Sequence, residues 1–467
     1  MILGPVFERF VNDSPLSVMS RATIEHALSA SALDELFDRT AEQGYTRELL
    51  FSTVADVMSL VVCGKAHHVQ SAFHQLAERV PVTLKSVYEK RQNVETTVSA
   101  ALVGHVAGRC QELISALGGG CPPRLPGRQV RILDGNHLAA TQKRLAVTRG
   151  HTAGPLPGQA PVILDPAAMR ITGVIPCEDG HTQERALINQ VIPKIKAGDV
   201  WIDDRNFCTI DVLCRTEQEQ AFFVTRRHGN TTIEPEGEWR AGVETETGWV
   251  SERPGWLCVG GQRVMLVRCV RVRLAHPTTD GEHEIEILTN LRTDEADAVE
   301  VADLYRNRWT IEGAFHELTM ALRCEIKTLG YPTAALFGFS VAVVAYNVLA
   351  VLKAAMRVVH DTEEVKKEVS SYYMALEWAM VYTGMRIGIP AAEWVVFGTM
   401  PAEQLAAHLR EWAGKVNLKK IKKSPPRKLT GKKTERIKDK SPHLSTARLL
   451  EDAEKNRQRT MKERNRR

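Results

Sequence analysis

Aromatic side chains make up only 6% of the 467 residues, and the nine cysteines are scattered, with no two in a Cys-x-x-Cys pair. That spacing excludes a zinc ribbon, and an odd, dispersed set speaks for reduced thiols over a disulfide framework. The chain opens without a basic stretch followed by an apolar run and a small-residue cleavage site, so secretion is not expected. Uncharged runs long enough to cross a bilayer are lacking, with the exception of residues 334–352. A helix at the centre of a large α/β domain is apolar all round as well, and Ser340, Tyr346 and Asn347 within this run favour that reading over a span. What remains is an ordinary globular composition, 43% hydrophobic and 25% charged, which rules out a disordered, collagenous or coiled-coil chain. The expectation is a cytosolic protein of two or three domains with no membrane partner.

Acidic residues are sparse in one region. Residues 415–467 hold 20 Lys and Arg against 6 Asp and Glu, a local +14, so the other 414 residues carry −9 of the net +5. A basic tail on an acidic body is a footprint of polyanion binding, and a solubilising tail is the alternative. Its runs Lys419-Lys420-Ile421-Lys422-Lys423 and Pro425-Pro426-Arg427-Lys428 have no aromatic, which points to phosphate neutralisation and not to base stacking.

Apolar spacing of three and four predicts helices over residues 1–120, where 82–90 reads as an amphipathic or a DNA-reading helix. The pattern then changes. Strands are expected at 130–134, 137–145 and 169–176, with a Gly/Pro-rich loop at 150–161, a helix at 182–196, and further strands at 200–204 and 221–225. Three strands in hairpin order followed by strands alternating with helices describe a mixed sheet of the ribonuclease-H type. Residues 228–292 lack helical periodicity and read as a β-rich insertion. Within it, 263–274 alternates Val264, Leu266, Val270, Val272 and Leu274 with Arg263, Arg271 and Arg273, a half-buried strand whose basic face is either solvated or turned to DNA. One long helix is expected from 294 to 327, then the apolar helix, then helices over 364–412. The domain expectation is 1–120 helical, 121–227 and 293–362 the two parts of an RNase H-like core, 228–292 the insertion, 363–414 helical and 415–467 the basic tail.

Three carboxylates stand out by placement. Asp134 ends the first core strand, Asp204 or Asp203 ends a later one, and Glu312 lies on the long helix. Ionised carboxylates gather only around cations, and an all-oxygen set without His or Cys suits Mg²⁺ or Mn²⁺. Two such ions about 4 Å apart would serve phosphodiester displacement. Tyr305, Arg308 and Glu312 stand at i, i+3 and i+7, and since seven residues return to within about 20° of the start, they share one helical face. They form either a phosphate-facing group beside a metal or a surface ion pair.

Tyr-x-x-Arg-x-x-x-Glu at 305–312, with Asp-Gly at 134–135 and Asp-Arg-x-Phe at 204–207, resembles the DDE transposases of bacterial insertion sequences, in the branch with the Tyr-Arg-Glu-Lys signature. The resemblance implies Asp134, Asp204 and Glu312 as the catalytic, metal-binding triad for two Mg²⁺ ions, with Tyr305 and Arg308 near DNA phosphates. Arg205, Arg271 and Arg273 are further candidates for DNA contact. It also implies cleavage at element ends and strand transfer, DNA partners in terminal inverted repeats and target, a homodimer on DNA, and a nucleoid-associated bacterial enzyme. The signature Lys position is Thr319 here, and Arg323 is the candidate to replace it. A domesticated DDE nuclease, a catalytically dead DNA-binding protein and a two-carboxylate glycosidase are the competing functions, the last disfavoured by the basic tail and by Arg308.

Overall fold

The computed structural model describes residues 4–42, 48–76, 80, 82–138, 158–180, 182–278, 281–324, 326, 331–424 and 446–464. The chain begins with helices, from Pro5–Asp13 to the 22-residue Thr96–Leu117. In the helix Leu84–Gln92, Val87 and Arg91 are buried, so it packs as an amphipathic element. The cleft beside it is lined by Glu42, Glu48, Glu89 and Glu95, a surface unsuited to DNA phosphates.

Ten strands follow in one sheet: β1 (Gln129–Asp134), β2 (Val162–Asp165), β3 (Arg170–Val174), β4 (Asp199–Asp203), β5 (Phe222–Arg226), β6 (Ile233–Pro235), β7 (Val243–Thr245), β8 (Gly248–Val259), β9 (Gln262–Leu274) and β10 (Glu284–Thr289). The order is β3-β2-β1-β4-β5-β10-β9-β8-β6, with β7 beside β8. β1, β2 and β3 pair antiparallel, whereas β1, β4 and β5 run parallel, which is the RNase H-like arrangement. The expected strand at 137–145 and most of the loop at 150–161 lie outside the described residues. The antiparallel partner of β1 is β2 at 162–165, and His137 forms an isolated bridge to Gln159. The helix expected at 182–196 is three short turns, 3₁₀ at Glu184–Leu187, α at Ile188–Val191 and 3₁₀ at Ile192–Lys194, broken where Pro193 supplies no N–H.

The insertion does not leave the sheet: β10 returns antiparallel to β5, pairing Ile287 with Arg226. Its long hairpin turns at Gly260 and Gly261, both at positive φ, as a twist-matched two-residue turn requires. On β9 the expected faces are half wrong. Val264 and Leu266 are 44% and 47% exposed while Met265 and Val267 are buried. Alternation holds, but the covered side changes along the strand. Met265, Val267 and Cys269 pack with Leu213 and Phe223, whereas Val270 and Val272 face the main core.

The uncharged run becomes the helix Pro332–Val359, buried along most of its length at the centre of the fold. Asn347 explains itself here: its amide donates to the carbonyl of Ile171 and accepts from the Ile171 N–H, both at 2.9 Å. β3 is the edge strand, so this one side chain satisfies backbone groups that no neighbouring strand reaches. Helices Thr362–Glu368, Ser371–Gly388, Ala391–Thr399 and Ala402–Ala413 complete the body. The first part of the basic tail is docked: Ile421 is buried, its carbonyl accepts from Ser370 N–H, and Lys423 N–H donates to the Glu368 carbonyl. A helix at Thr446–Arg464 follows.

Candidate active site

β1 and β4 are parallel neighbours in register, Ile132 opposite Ile202, so their carboxyl ends bring residues 134 and 204 level with one another. Strand alternation sets Asp134 on the same face as Ile132 and Ile202. Beyond the last residue of β4, Asp204 Oδ1 accepts from the Asn206 N–H at 2.7 Å, an Asx turn that fixes its carboxylate. Asp203 belongs to the opposite face. It is fully buried beside Thr225, and burial holds its carboxyl well above the usual range, which favours the neutral acid.

The helix expected over 294–327 is interrupted. It runs as Ala298–Arg306, a 3₁₀ turn at Asn307–Trp309, and Thr310–Met320. Asn307 donates its side-chain amide to the Asp303 carbonyl at 2.7 Å, a local bond that competes with the helical ladder. Three residues at about 120° instead of 100° turn the following helix by about 60° relative to an unbroken one. Glu312 is therefore exposed at the mouth of the site, while Tyr305 and Arg308 are buried within it.

Arg308 organises the centre. Its guanidinium donates to Asp134 Oδ2 and lies beside the Tyr305 hydroxyl. Burial pulls its pKa down, but Asp134 and Tyr305 outweigh that and hold it above the ordinary value. Asp134 is pushed up to about 6: burial raises it, Arg308 opposes, and the charges of Asp204 and Glu312 raise it further. Asp134 thus feels both other carboxylates, and its single counter-charge among the described residues is Arg308. Among the described residues no three His, Cys, Asp or Glu side chains close into a metal cage. Arg308 sits on Asp134, and Glu312 is turned outward.

These residues match a transposase DDE domain. The family match covers residues 125–348, from just before β1 into the central helix, and takes in Asp134, Asp204, Tyr305, Arg308 and Glu312. The match supports a DDE transposase. No curated protein matches the sequence. A solved structure of piggyBac transposase in a synaptic complex with hairpin DNA is similar at a TM-score of 0.37 and 11% identity, over 93% of this chain and 87% of that one, too slight a likeness to argue from.

Around Asp134, Asp204 and Glu312 the other sequence candidates take different places. Arg205 lies on the rim, half exposed, 3.5 Å from Glu282, which also pairs with Arg226. Arg271 and Arg273 form a separate group on β9, both paired with Glu284 at 3.0 and 3.5 Å, and Arg271 stacks on Trp239. Arg263 pairs with Glu234, so the basic face of β9 carries its own counter-charges. Thr319 bonds back to the Phe315 carbonyl at 2.9 Å. Arg323 does not replace the signature Lys. The helix ends at Met320, and Arg323 instead donates to the Val62 and Ala66 carbonyls, capping the C-terminus of the helix Phe51–Val62.

Sequence reasoning missed Glu184, at the start of the turn after β3. Its Oε2 accepts from Asn206 Nδ2 at 3.4 Å, and burial and the Asp204 charge raise its pKa. It borders a cavity of about 670 Å³ lined also by His137, Arg185, Arg205 and His228. The one sequence signal was the Gly that follows Asp134.

Proposed function

We propose that this chain is a DNA transposase of the Tyr-Arg-Glu-Lys branch that cuts at the ends of its element and joins the freed 3′ hydroxyl to target DNA by a cut-and-paste route. The reading is supported by one observation above all: Asp134 and Asp204 stand level at the ends of two parallel strands, close enough to the helix that carries Glu312 for Asp134 to feel its charge, inside the region that matches a DDE domain. The donor set is all hard oxygen, and Asp134, raised to about 6 among like charges, is in an environment that a divalent cation relieves. Two Mg²⁺ or Mn²⁺ ions held there would activate the attacking oxygen and stabilise the leaving one.

The protein's own groups do the rest. Asp134 and Asp204 hold the cations from the sheet and Glu312 from the helix. Arg308 is the counter-charge of Asp134, and its planar fork would serve a DNA phosphate, with Tyr305 beside it to steer it. Arg205 at the rim, and Arg271 and Arg273 on the insertion, exchange carboxylate partners for phosphates. The helical residues 1–120 take the terminal inverted repeats, the tail takes target or flanking DNA, and two copies act as a homodimer.

The test uses the full chain and DNA carrying the native flanking ends. Cleavage and joining are expected in Mg²⁺ or Mn²⁺, with Ca²⁺ supporting binding but little chemistry. Full activity in EDTA would overturn the two-metal reading. Cleavage that never proceeds to joining would mark a domesticated nuclease.

A further inference from the structure

We infer that Glu184 is a positioning residue that ties together the two turns carrying Asp134 and Asp204, and that Gly135 is glycine because the Glu184 carboxylate occupies the place of a side chain there. A Cβ built on Gly135 would meet Glu184 Oε1 at 1.6 Å, Cδ at 2.5 Å and Cγ at 3.2 Å, so the carboxylate end of Glu184 would have to swing away to admit it. Gly135 needs no positive φ, so backbone conformation does not account for it. Its N–H donates to Asp134 Oδ1 at 2.9 Å, so whatever holds the Gly135 backbone also orients the first carboxylate. The other oxygen of Glu184 accepts from the Asn206 side chain, and the Asn206 N–H holds Asp204. One side chain from the turn after β3 therefore spans from the end of β1 to the end of β4. Metal ligands held this way depend on their supporting contacts nearly as much as on themselves.

This inference rests on the metal reading of Asp134 and Asp204. Its test is Mn²⁺ binding by the full-length protein without DNA, followed by electron paramagnetic resonance of the free ion, beside the melting temperature without metal. Glu184→Ala should weaken Mn²⁺ binding about tenfold. Glu184→Gln, which fills the same space and still accepts from Asn206, should stay close to wild type. Gly135→Ala, which displaces the Glu184 side chain, should match Glu184→Ala, and the double variant should bind no more weakly than either single one, because both break one contact. Melting temperatures should be unchanged. A Gln variant as weak as the Ala variant would overturn the inference and make Glu184 a ligand through its charge. Additive losses would show that Gly135 acts independently of Glu184, and wild-type affinity in Glu184→Ala would remove any role for it. A wild-type protein that binds no Mn²⁺ fails the metal reading itself, and this inference with it.

Discussion

Asp203 and Asp204 are neighbours in the chain with different surroundings, one buried beside Thr225 on the opposite face of the strand and one held by an Asx turn at the cluster. Asp204→Asn removes a charge the cations need, so cleavage should fall by orders of magnitude. Asp203→Asn keeps the shape of a side chain whose charged form burial disfavours, and cleavage should stay within about tenfold of wild type. Both are read in the end-cleavage assay with circular dichroism as a check on folding, and the reverse ranking would move the site by one residue. Arg308→Ala should damage cleavage or joining in a folded protein, and wild-type strand transfer would make Arg308 a mere partner of Asp134. Asp134 was legible because an apolar strand ending on a carboxylate is a local pattern. Glu184 was not, since nothing near it in sequence says which turn it will lie against. Arg323 misled because its direction depends on where the helix stops.

Among the elements, the central helix shows what periodicity conveys and what it omits. Its lack of charge announced a buried helix, but the reason for Asn347 lies in the edge strand that the helix covers. Asn347→Leu leaves the Ile171 N–H and C=O buried and unpaired, and urea denaturation should show a loss of about 2–5 kcal/mol. The same helix is joined to Thr310–Met320 by Lys353, which donates to both Glu317 oxygens at 2.9 Å, with Ser371 donating at 2.7 Å. Burial pushes Glu317 up, but Lys353 and Ser371 outweigh it and hold the carboxyl below its usual range. With the folded value under the unfolded one near 4.3, its stabilisation is complete above that value and is lost as pH falls through the folded one. Glu317→Gln should cost about 2 kcal/mol at neutral pH, and the gap to wild type should close in acid below about pH 4. A gap of equal size at both would mean that charge plays no part. The break at Asn307–Trp309, set by a side-chain bond to Asp303, and the change of covered side on β9, set by partners distant in sequence, were both beyond periodicity.

For the whole molecule, the asymmetry of charge divides more finely than composition suggested. Residues 415–424 are part of the body through Ile421 and the backbone bonds to Glu368 and Ser370, and the other 15 Lys and Arg of the tail follow Ser424 in sequence. Removing residues 425–467 should leave the melting temperature unchanged, weaken DNA binding most at low salt, and make the slope of log affinity against log salt shallower. An unchanged slope would leave the tail a solubilising extension.

The return of β10 alongside β5 has a consequence for descent. The chain leaves the central strands at Arg226 and re-enters at its ladder partner Ile287, so both ends of the intervening stretch lie side by side on the sheet, while Val270 and Val272 tie its inner part to the main core. Its outer turn at Gly260 and Gly261 can be lengthened, trimmed or exchanged without altering the spacing of Asp134, Asp204 and Glu312, as insertions at exposed loop tips are tolerated in other folds. The outer turns of the insertion and the strands that carry Asp134 and Asp204 are thereby free to evolve at different speeds.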